Sequence, residues 1–483
     1  MDLRLIAMVL SRITLICTIF FLLPLLVAGV GHGPDWWAFA VSFLLGGLCS
    51  VMLSAWGRSV DKILTVREAL VVTGLGWLLL AGLGMLPYLL GTSMTIMDAA
   101  FESVSGFSGT GATVLPSLDN LPRGILFWRC LTHWIGGFLI VLVLSTLLPQ
   151  VGCGADLYGA DMMGLASGRG FPQVRKHGRA IFCVYILLTV AATLTYMVCG
   201  LDVIDAAGHA FSTVSTGGFS MYDGNVGVFD NVALEAAMVF FMLAASGNFE
   251  LYRLVYKRGW RVLKKNTEFK AYLGLLLTAI AFILLDLLWH TDLPWLEAVR
   301  YTVFQVVSIS STTGFFSTAF TDWPPFSQGV LLLLMLIGGC AGSSAGGLRM
   351  ARVVLLGRLI YWVARQKLYP QSAVRVYMNG SPIPEMALFS VGRFFFVYIF
   401  FVVFWSLLLV VDGVSLLDSL AISASSMSGV GQAVGIASPA ADYAALPDVS
   451  KFIACMAMLF GRLEIFAFLV LFWPEFWNRT KGW

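Results

Sequence analysis

The sequence predicts an all-α polytopic membrane protein, with a leading helix pair followed by four helix–pore-loop–helix repeats around one central pore. Three observations predict this class. The chain of 483 residues is 59% hydrophobic and only 12% charged, about half the charge of an ordinary soluble domain. Ten apolar runs come close to or exceed the roughly 20 residues that a membrane-spanning helix needs. Between them lie four short stretches rich in glycine and small polar residues, too polar for a lipid-facing helix and recurring at roughly 100-residue intervals, a period that suggests duplicated units.

The apolar runs lie near 5–30, 36–57, 68–90, 121–150, 180–201, 230–257, 269–290, 326–360, 388–411 and 448–474. The first is too long for a signal-peptide core, and Gly31-His-Gly-Pro34 is a poor cleavage site, so it reads as a spanning helix. Two runs form the leading pair, 1–62. The remaining eight form four pairs: repeat one at 63–170, repeat two at 171–265, repeat three at 266–370 with a broken second helix, and repeat four at 371–483.

Charge placement sets the orientation. Connections between pairs are basic, with Arg58, Lys62 and Arg67, then Arg175, Lys176 and Arg179, then Arg253, Lys257, Arg258, Arg261, Lys264 and Lys265, and finally Arg349 to Arg375. The positive-inside rule places these, and both termini, in the cytoplasm. Connections within pairs carry Asp98, Glu102, Asp202, Asp205, Asp223, Asp230, Glu297, Asp412 and Asp418, which are expected to face outward and concentrate cations. The basic connections suit anionic lipid headgroups or a soluble subunit equally. The eight cysteines are scattered without a CxxC pair, which argues against a metal knuckle or a disulfide framework.

The four polar stretches read as pore loops. Asp98–Thr110, as a helix, would be ~20 Å long, too short to cross a hydrocarbon core of ~30 Å. The same holds for Asp205–Thr216 and Asp418–Ser428, while Trp295–Thr313 is longer. Each begins near an acidic residue, suited to a helix N-terminus, and ends in small polar residues and glycine. Irregular backbone at membrane depth is tolerated only where protein or a water-filled cavity satisfies it. Carbonyl oxygens around Gly111, Gly217, Gly314 and Gly429 are therefore expected to replace the hydration shell of a monovalent cation. Thr110, Thr216 and Thr313 would add hydroxyl oxygens, and the helices would aim their negative C-terminal ends at the cavity.

Two further features stand out. Gly338–Gly347 interrupts an apolar run with Gly338, Gly339, Gly342, Gly346 and Gly347 among Ser343, Ser344 and other small residues. Such a stretch holds a regular helix poorly; it is either a helix-packing surface or an unwound loop beneath the filter. Arg462 is a costly charge within the last apolar run and needs a partner or a watery cavity. His133 and His209 read as packing residues. No HExxH, Walker or GxGxxG context appears, so the chain reads as no enzyme and as holding no cofactor or nucleic acid.

At these residues the chain resembles the Trk/Ktr/HKT superfamily of potassium transporters, in particular its TrkH/TrkG-type membrane subunits. The likeness extends to His133-Trp-Ile-Gly-Gly137, Phe304-Gln-Val-Val-Ser308, Gly338-Gly-Cys-Ala-Gly-Ser-Ser-Ala-Gly-Gly347 and Phe460-Gly-Arg-Leu-Glu-Ile-Phe466. It implies K+ uptake across the bacterial inner membrane, a filter at Thr110/Gly111, Thr216/Gly217, Thr313/Gly314 and Ser428/Gly429, and a gate formed by the 338–347 loop with Arg462 facing the pore. It also implies a homodimer regulated by a cytosolic TrkA-type nucleotide-binding subunit. Gly109 stands where such subunits usually carry threonine, and Met427-Ser-Gly-Val-Gly-Gln432 replaces their Asn-Asn-Leu-Gly-Pro-Gly, which leaves K+ over Na+ selectivity open, as it does Rb+ and H+ passage. The alternative is a proton- or sodium-coupled secondary cation transporter (a symport), for which Asp286 and Glu464 are the nearest intramembrane acids.

Overall fold

The computed structural model describes residues 1–31, 33–57, 65–146, 171–369, 376–379, 381–432, 443–463 and 465–477. Its architecture is helical, apart from a hairpin pairing Tyr377–Met378 with Ser381–Pro382. The boundaries expected at 62 and 170, together with Cys153, Asp442 and Glu464, fall outside the described residues.

The leading pair is Leu3–Phe20 continued by Leu22–Val30, then Trp36–Trp56. The Asp2 carboxylate caps the first helix by accepting from the amides of Arg4 and Leu5. Gly46 lets the two helices close in, since a β-carbon there would overlap the Thr18 hydroxyl, the small-residue contact that membrane helices favour.

Each later repeat has the same three parts. A first helix spans (Val66–Gly84 with Leu86–Gly91, Phe171–Val198, Thr267–His290, Glu385–Val411), a short buried helix follows, and a second helix closes the unit. The short helices are Ile96–Ser108, Val203–Val214, Trp295–Ser310 and Leu416–Ser428. Asp98, Asp205, Glu297 and Asp418 lie in their first turns, as the sequence suggested. The exterior is apolar, with Leu44, Leu187, Leu277 and Phe396 exposed, whereas the interior holds serines and threonines of the short helices at no exposure. This inversion is stable only with lipid as the outer solvent.

The ten expected spans need correction. Among the described residues, seven helices are long and apolar enough to cross, and an eighth is so only if the bent pair Val232–Ser246 and Phe249–Arg258 counts as one. That pair turns by 91° because Asn248 starts a new helix, its side chain accepting from the Glu250 amide at 2.9 Å. The 326–360 run ends its helix at Ile337 and resumes at Met350. The 448–474 run stops at Arg462, and Ile465 then takes a left-handed conformation with φ 40°. Second helices of repeats two to four are thus bent or interrupted, or end before the expected run does.

Ion pairs tie neighbouring repeats. Lys451 of repeat four bonds Asp98 of repeat one at 2.7 Å. Arg300 of repeat three bonds Glu235 at 2.8 Å and Asp230 at 2.9 Å, both from repeat two. Asp223 of repeat two accepts from the Leu118 amide at 2.6 Å and the Ser117 hydroxyl at 2.9 Å.

Candidate ion pathway

The ends of the four short helices converge. Each terminates in the same hydrogen bond, from the amides of Thr110, Gly217, Thr313 and Val430 to the carbonyls of Ser105, Ser212, Ser308 and Ser425, at 3.0, 2.8, 2.9 and 3.1 Å. This six-to-one closure is the Schellman ending, which requires a left-handed residue just before the donor. Gly109, Thr216, Thr312 and Gly429 supply it with φ 69°, 55°, 57° and 72°. Two residues on, Gly111, Gly218, Gly314 and Gly431 again have positive φ.

These repeated geometries fix which residues correspond. Ser108-Gly-Thr-Gly111, Ser215-Thr-Gly-Gly218, Ser311-Thr-Thr-Gly314 and Ser428-Gly-Val-Gly431 are equivalent. The glycine expected to match Gly111 is therefore Gly218 rather than Gly217 in loop two, and Gly431 rather than Gly429 in loop four. All eight expected residues still lie in the four converging stretches, but Gly217 occupies the place of Thr110, and Gly429 that of Gly109. The physical reason is that threonine takes the left-handed position in loops two and three, so counting glycines misaligns the loops. A signal in the sequence does find the register: a Ser-x-x-Ser pair precedes every loop, at Ser105/Ser108, Ser212/Ser215, Ser308/Ser311 and Ser425/Ser428.

The second set of glycines closes a ring. A β-carbon on Gly111 would overlap the Gly217 carbonyl oxygen; on Gly218, that of Thr313; on Gly314, that of Val430; and on Gly431, that of Thr110. Each loop thus lies backbone to backbone against the next, and the fourth returns to the first. Only residues without a side chain permit such approach. The threonine hydroxyls are engaged locally: Thr110 with Ser108 at 2.7 Å, Thr313 with Ser311 at 2.8 Å, and Thr216 donating to the Ser215 carbonyl at 2.6 Å.

Behind the ring lies a charged brace that the sequence reading missed. Glu102, grouped there with outward-facing acids, is fully buried. It accepts from Arg129 Nε at 2.6 Å, from the Thr113 hydroxyl at 3.1 Å and from the Val114 amide at 3.2 Å. Arg129 also reaches the Ser220 carbonyl at 3.2 Å and lies 4.2 Å from the centre of the Phe219 ring. It therefore clamps the segments that follow loops one and two. His209, at the place of Glu102 in repeat two, bonds Ser220 at 3.0 Å and the Asp205 carbonyl at 2.8 Å. His133 stacks on Phe219 with ring centres 4.1 Å apart.

On the helix-end side of the ring, residues 338–349 form an Ω-type loop whose ends meet. The Leu348 and Arg349 amides bond the Leu336 and Ile337 carbonyls at 3.0 and 2.8 Å. Gly338, Gly342 and Gly347 have positive φ, and Gly339 packs so closely on Ala345 and Ser246 that a β-carbon would overlap them. Ser343 folds onto the Cys340 carbonyl at 2.6 Å. The loop touches three short-helix ends: the Ser344 hydroxyl donates to the Val214 carbonyl at 3.0 Å, the Gly346 amide donates to Thr312 Oγ1 at 2.9 Å, and the Gly346 Cα lies against the Ser428 carbonyl. The fourth end, at Gly109, faces the Arg462 guanidinium. Arg462 is 7% exposed and donates from Nη1 to the Ser344 carbonyl at 2.9 Å; its Nε and Nη2 find no partner among the described residues. A positive group thus sits where the negative ends of four helices converge.

Asp286, one of the acids a coupled carrier would want, lies near a helix end. It accepts from the Ser327 amide at 3.1 Å and hydroxyl at 2.5 Å, which accounts for its burial structurally.

Four buried half-helices ending in a closed ring of carbonyl-bearing backbone, all within an apolar-surfaced helical protein, define a membrane protein of the cation-transporting class. The chain belongs to the TrkH family: residues 38–479 match the family model described as a cation transport protein. It is 33% identical to the Trk system potassium uptake protein TrkH of Salmonella typhimurium, over 99% of this chain and 100% of that one. It is 30% identical to the Trk system potassium uptake protein TrkG of Escherichia coli, over 91% and 90% of the two chains. The crystal structure of the potassium transporter TrkH from Vibrio parahaemolyticus superposes with a TM-score of 0.91 at 30% identity, covering 99% of this chain and 100% of that one.

Proposed function

We propose that this protein carries K+ into the cell across the bacterial inner membrane, through a filter formed by the closed ring of loop backbones. The ring is the observation that carries the reading: the carbonyls of Thr110, Gly217, Thr313 and Val430 each meet a glycine of the neighbouring loop, and carbonyl oxygens gathered in this way can replace a hydration shell. The filter comprises Thr110 and Gly111, Thr216 and Gly217, Thr313 and Gly314, and Ser428 and Gly429, extended by Gly218 and Gly431.

Below it, Gly338 to Gly347 act as a gate, and Arg462 as a tethered cation that raises the barrier while the loop is in place. Both termini are cytoplasmic, in keeping with the basic connections. The five units 1–62, 63–170, 171–265, 266–370 and 371–483 are the leading pair and the four pore repeats. A homodimer and a cytosolic TrkA-type nucleotide-binding subunit complete the system; the family resemblance supports both.

The experiment is ion flux in proteoliposomes with K+, Rb+, Na+ and Li+, with and without a pH gradient. Flux favouring K+ and Rb+ without the gradient supports the reading. Equal K+ and Na+ flux would remove selectivity, and strict dependence on the gradient would replace the channel by a symport.

A further inference from the structure

We infer that the turned-out segment 249–265 is a binding surface for anionic phospholipid headgroups, and that its occupation holds the 338–349 loop in place; the second half rests on the gating reading above.

The sequence of this segment alternates aromatic and basic residues. Tyr256 is 93% and Trp260 75% exposed, and Lys257, Arg258, Arg261, Lys264 and Lys265 are exposed beside them. No acidic residue lies among residues 251–265, and the one arginine nearer the elbow, Arg253, is already paired with Glu250. Because Phe249–Arg258 turns 91° away from Val232–Ser246, and the spanning helix Thr267–His290 follows at once, the segment runs along the membrane surface rather than into water or lipid. Tryptophan and tyrosine settle at that level. Lysine and arginine there meet headgroup phosphates, each contributing roughly a fivefold gain in attraction to an anionic surface. The basic connections alone left lipid and protein partners equal; the bend and the exposed aromatics favour the lipid.

Both ends of the segment hold the loop. At the elbow, the Cys340 amide donates to the Ser246 carbonyl at 2.9 Å, the Phe249 amide donates to the Gly342 carbonyl at 3.3 Å, and Asn248 lies against Gly342. At the far end, Glu268 accepts from the Ala341 amide at 2.6 Å. Residues 340–342 therefore rest on the two points between which the basic segment is suspended. A ligand stabilises the conformation it binds better. Headgroups that fix the segment in this position fix the loop beneath the ring, so anionic lipid lowers flux.

The test uses the full chain in vesicles of phosphatidylcholine alone or mixed with phosphatidylglycerol. Two readouts are Rb+ flux and quenching of Trp260 fluorescence by brominated lipid, the latter taken as the difference from Trp260→Phe. We expect brominated phosphatidylglycerol to quench Trp260 more than brominated phosphatidylcholine, and flux to fall several-fold as the anionic fraction rises. Both effects should vanish when Lys257, Arg258, Arg261, Lys264 and Lys265 are all replaced by Gln. Equal quenching by the two lipids overturns the site, and so does a replacement whose effect on flux shows only with added cytosolic protein, which would make the surface a protein dock. Selective quenching without a change in flux overturns the link to the loop. Thr312→Val and Arg462→Gln, measured in parallel, separate the readings. If they raise flux while lipid does nothing, the lipid inference fails alone; if neither they nor lipid alter flux, the gating reading fails.

Discussion

The Cα of Gly431 lies against the carbonyl oxygen of Thr110, and this contact joins the last pore loop to the first. It is what makes four loops in one chain a ring rather than a row. The same contact, shifted by one repeat, recurs between Gly111 and Gly217, Gly218 and Thr313, and Gly314 and Val430.

Substitution in loop four tests the register. Gly431→Ala places a methyl group into the Thr110 carbonyl, whereas a β-carbon on Gly429 meets nothing nearer than 3.9 Å. Both residues have positive φ, so both substitutions carry the left-handed penalty of about 1–2 kcal/mol. Only Gly431→Ala adds overlap at the ring. We expect it to lower K+ flux by about tenfold or more, the effect of some 1.4 kcal/mol on a barrier, and to erode discrimination against Na+. Gly429→Ala should keep most of both. The opposite order in a flux assay would mean that Gly429 holds the ring position.

Much of this was legible because length is decisive: a buried helix of 13 residues cannot cross a bilayer, and the acidic residue at its start marks where it begins. The register was not legible from glycines, because Thr216 and Thr312 hold conformations that glycine adopts more easily. The break at 338–349 announced itself through five glycines. The elbow at 247–248 did not, since one glycine inside an apolar run is common and the decisive event is a side-chain cap by Asn248. Glu102 read as an outward acid because its partner, Arg129, lies 27 residues away, and only the packing of Ile96–Ser108 against Arg123–Thr146 within repeat one brings them together.

Thr312 links the end of the third short helix to the 338–349 loop. Its hydroxyl accepts from the Gly346 amide while its backbone is left-handed, an uncommon conformation for a β-branched residue. Thr312→Ser keeps the acceptor and should behave as wild type. Thr312→Val keeps the shape but leaves the Gly346 amide unpaired, at about 1–3 kcal/mol, and should increase the open fraction. Single-channel or tracer flux measurements at equal expression decide it; identical behaviour of the Ser and Val variants would show that the bond does not restrain the loop.

Arg462 places its charge beside Gly109 and bonds the loop through the Ser344 carbonyl. Arg462→Gln keeps a donor in reach and removes the charge; Arg462→Ala removes both. If the barrier is electrostatic, Gln raises flux nearly as much as Ala, by roughly tenfold for 1.4 kcal/mol. If the hydrogen bond is what matters, Gln stays near wild type and only Ala is leaky. Unchanged flux in both variants would leave Arg462 a packing residue.

The Glu102–Arg129 pair should be costly to break and cheaper to replace. Both groups are fully buried; Glu102 accepts from Thr113 and Val114 after loop one, and Arg129 donates to Thr113 and to the Ser220 carbonyl after loop two. Removing one partner strands the other's charge, at about 3–5 kcal/mol. Glu102→Gln and Arg129→Met should each lower the melting temperature in detergent clearly, whereas the double substitution should lose much less than the sum. The two singles should also reduce K+ preference, because Thr113 and Ser220 lose a common anchor. Strict additivity of the melting shifts would show that the two residues act on the fold separately, and that the ring does not depend on their pairing.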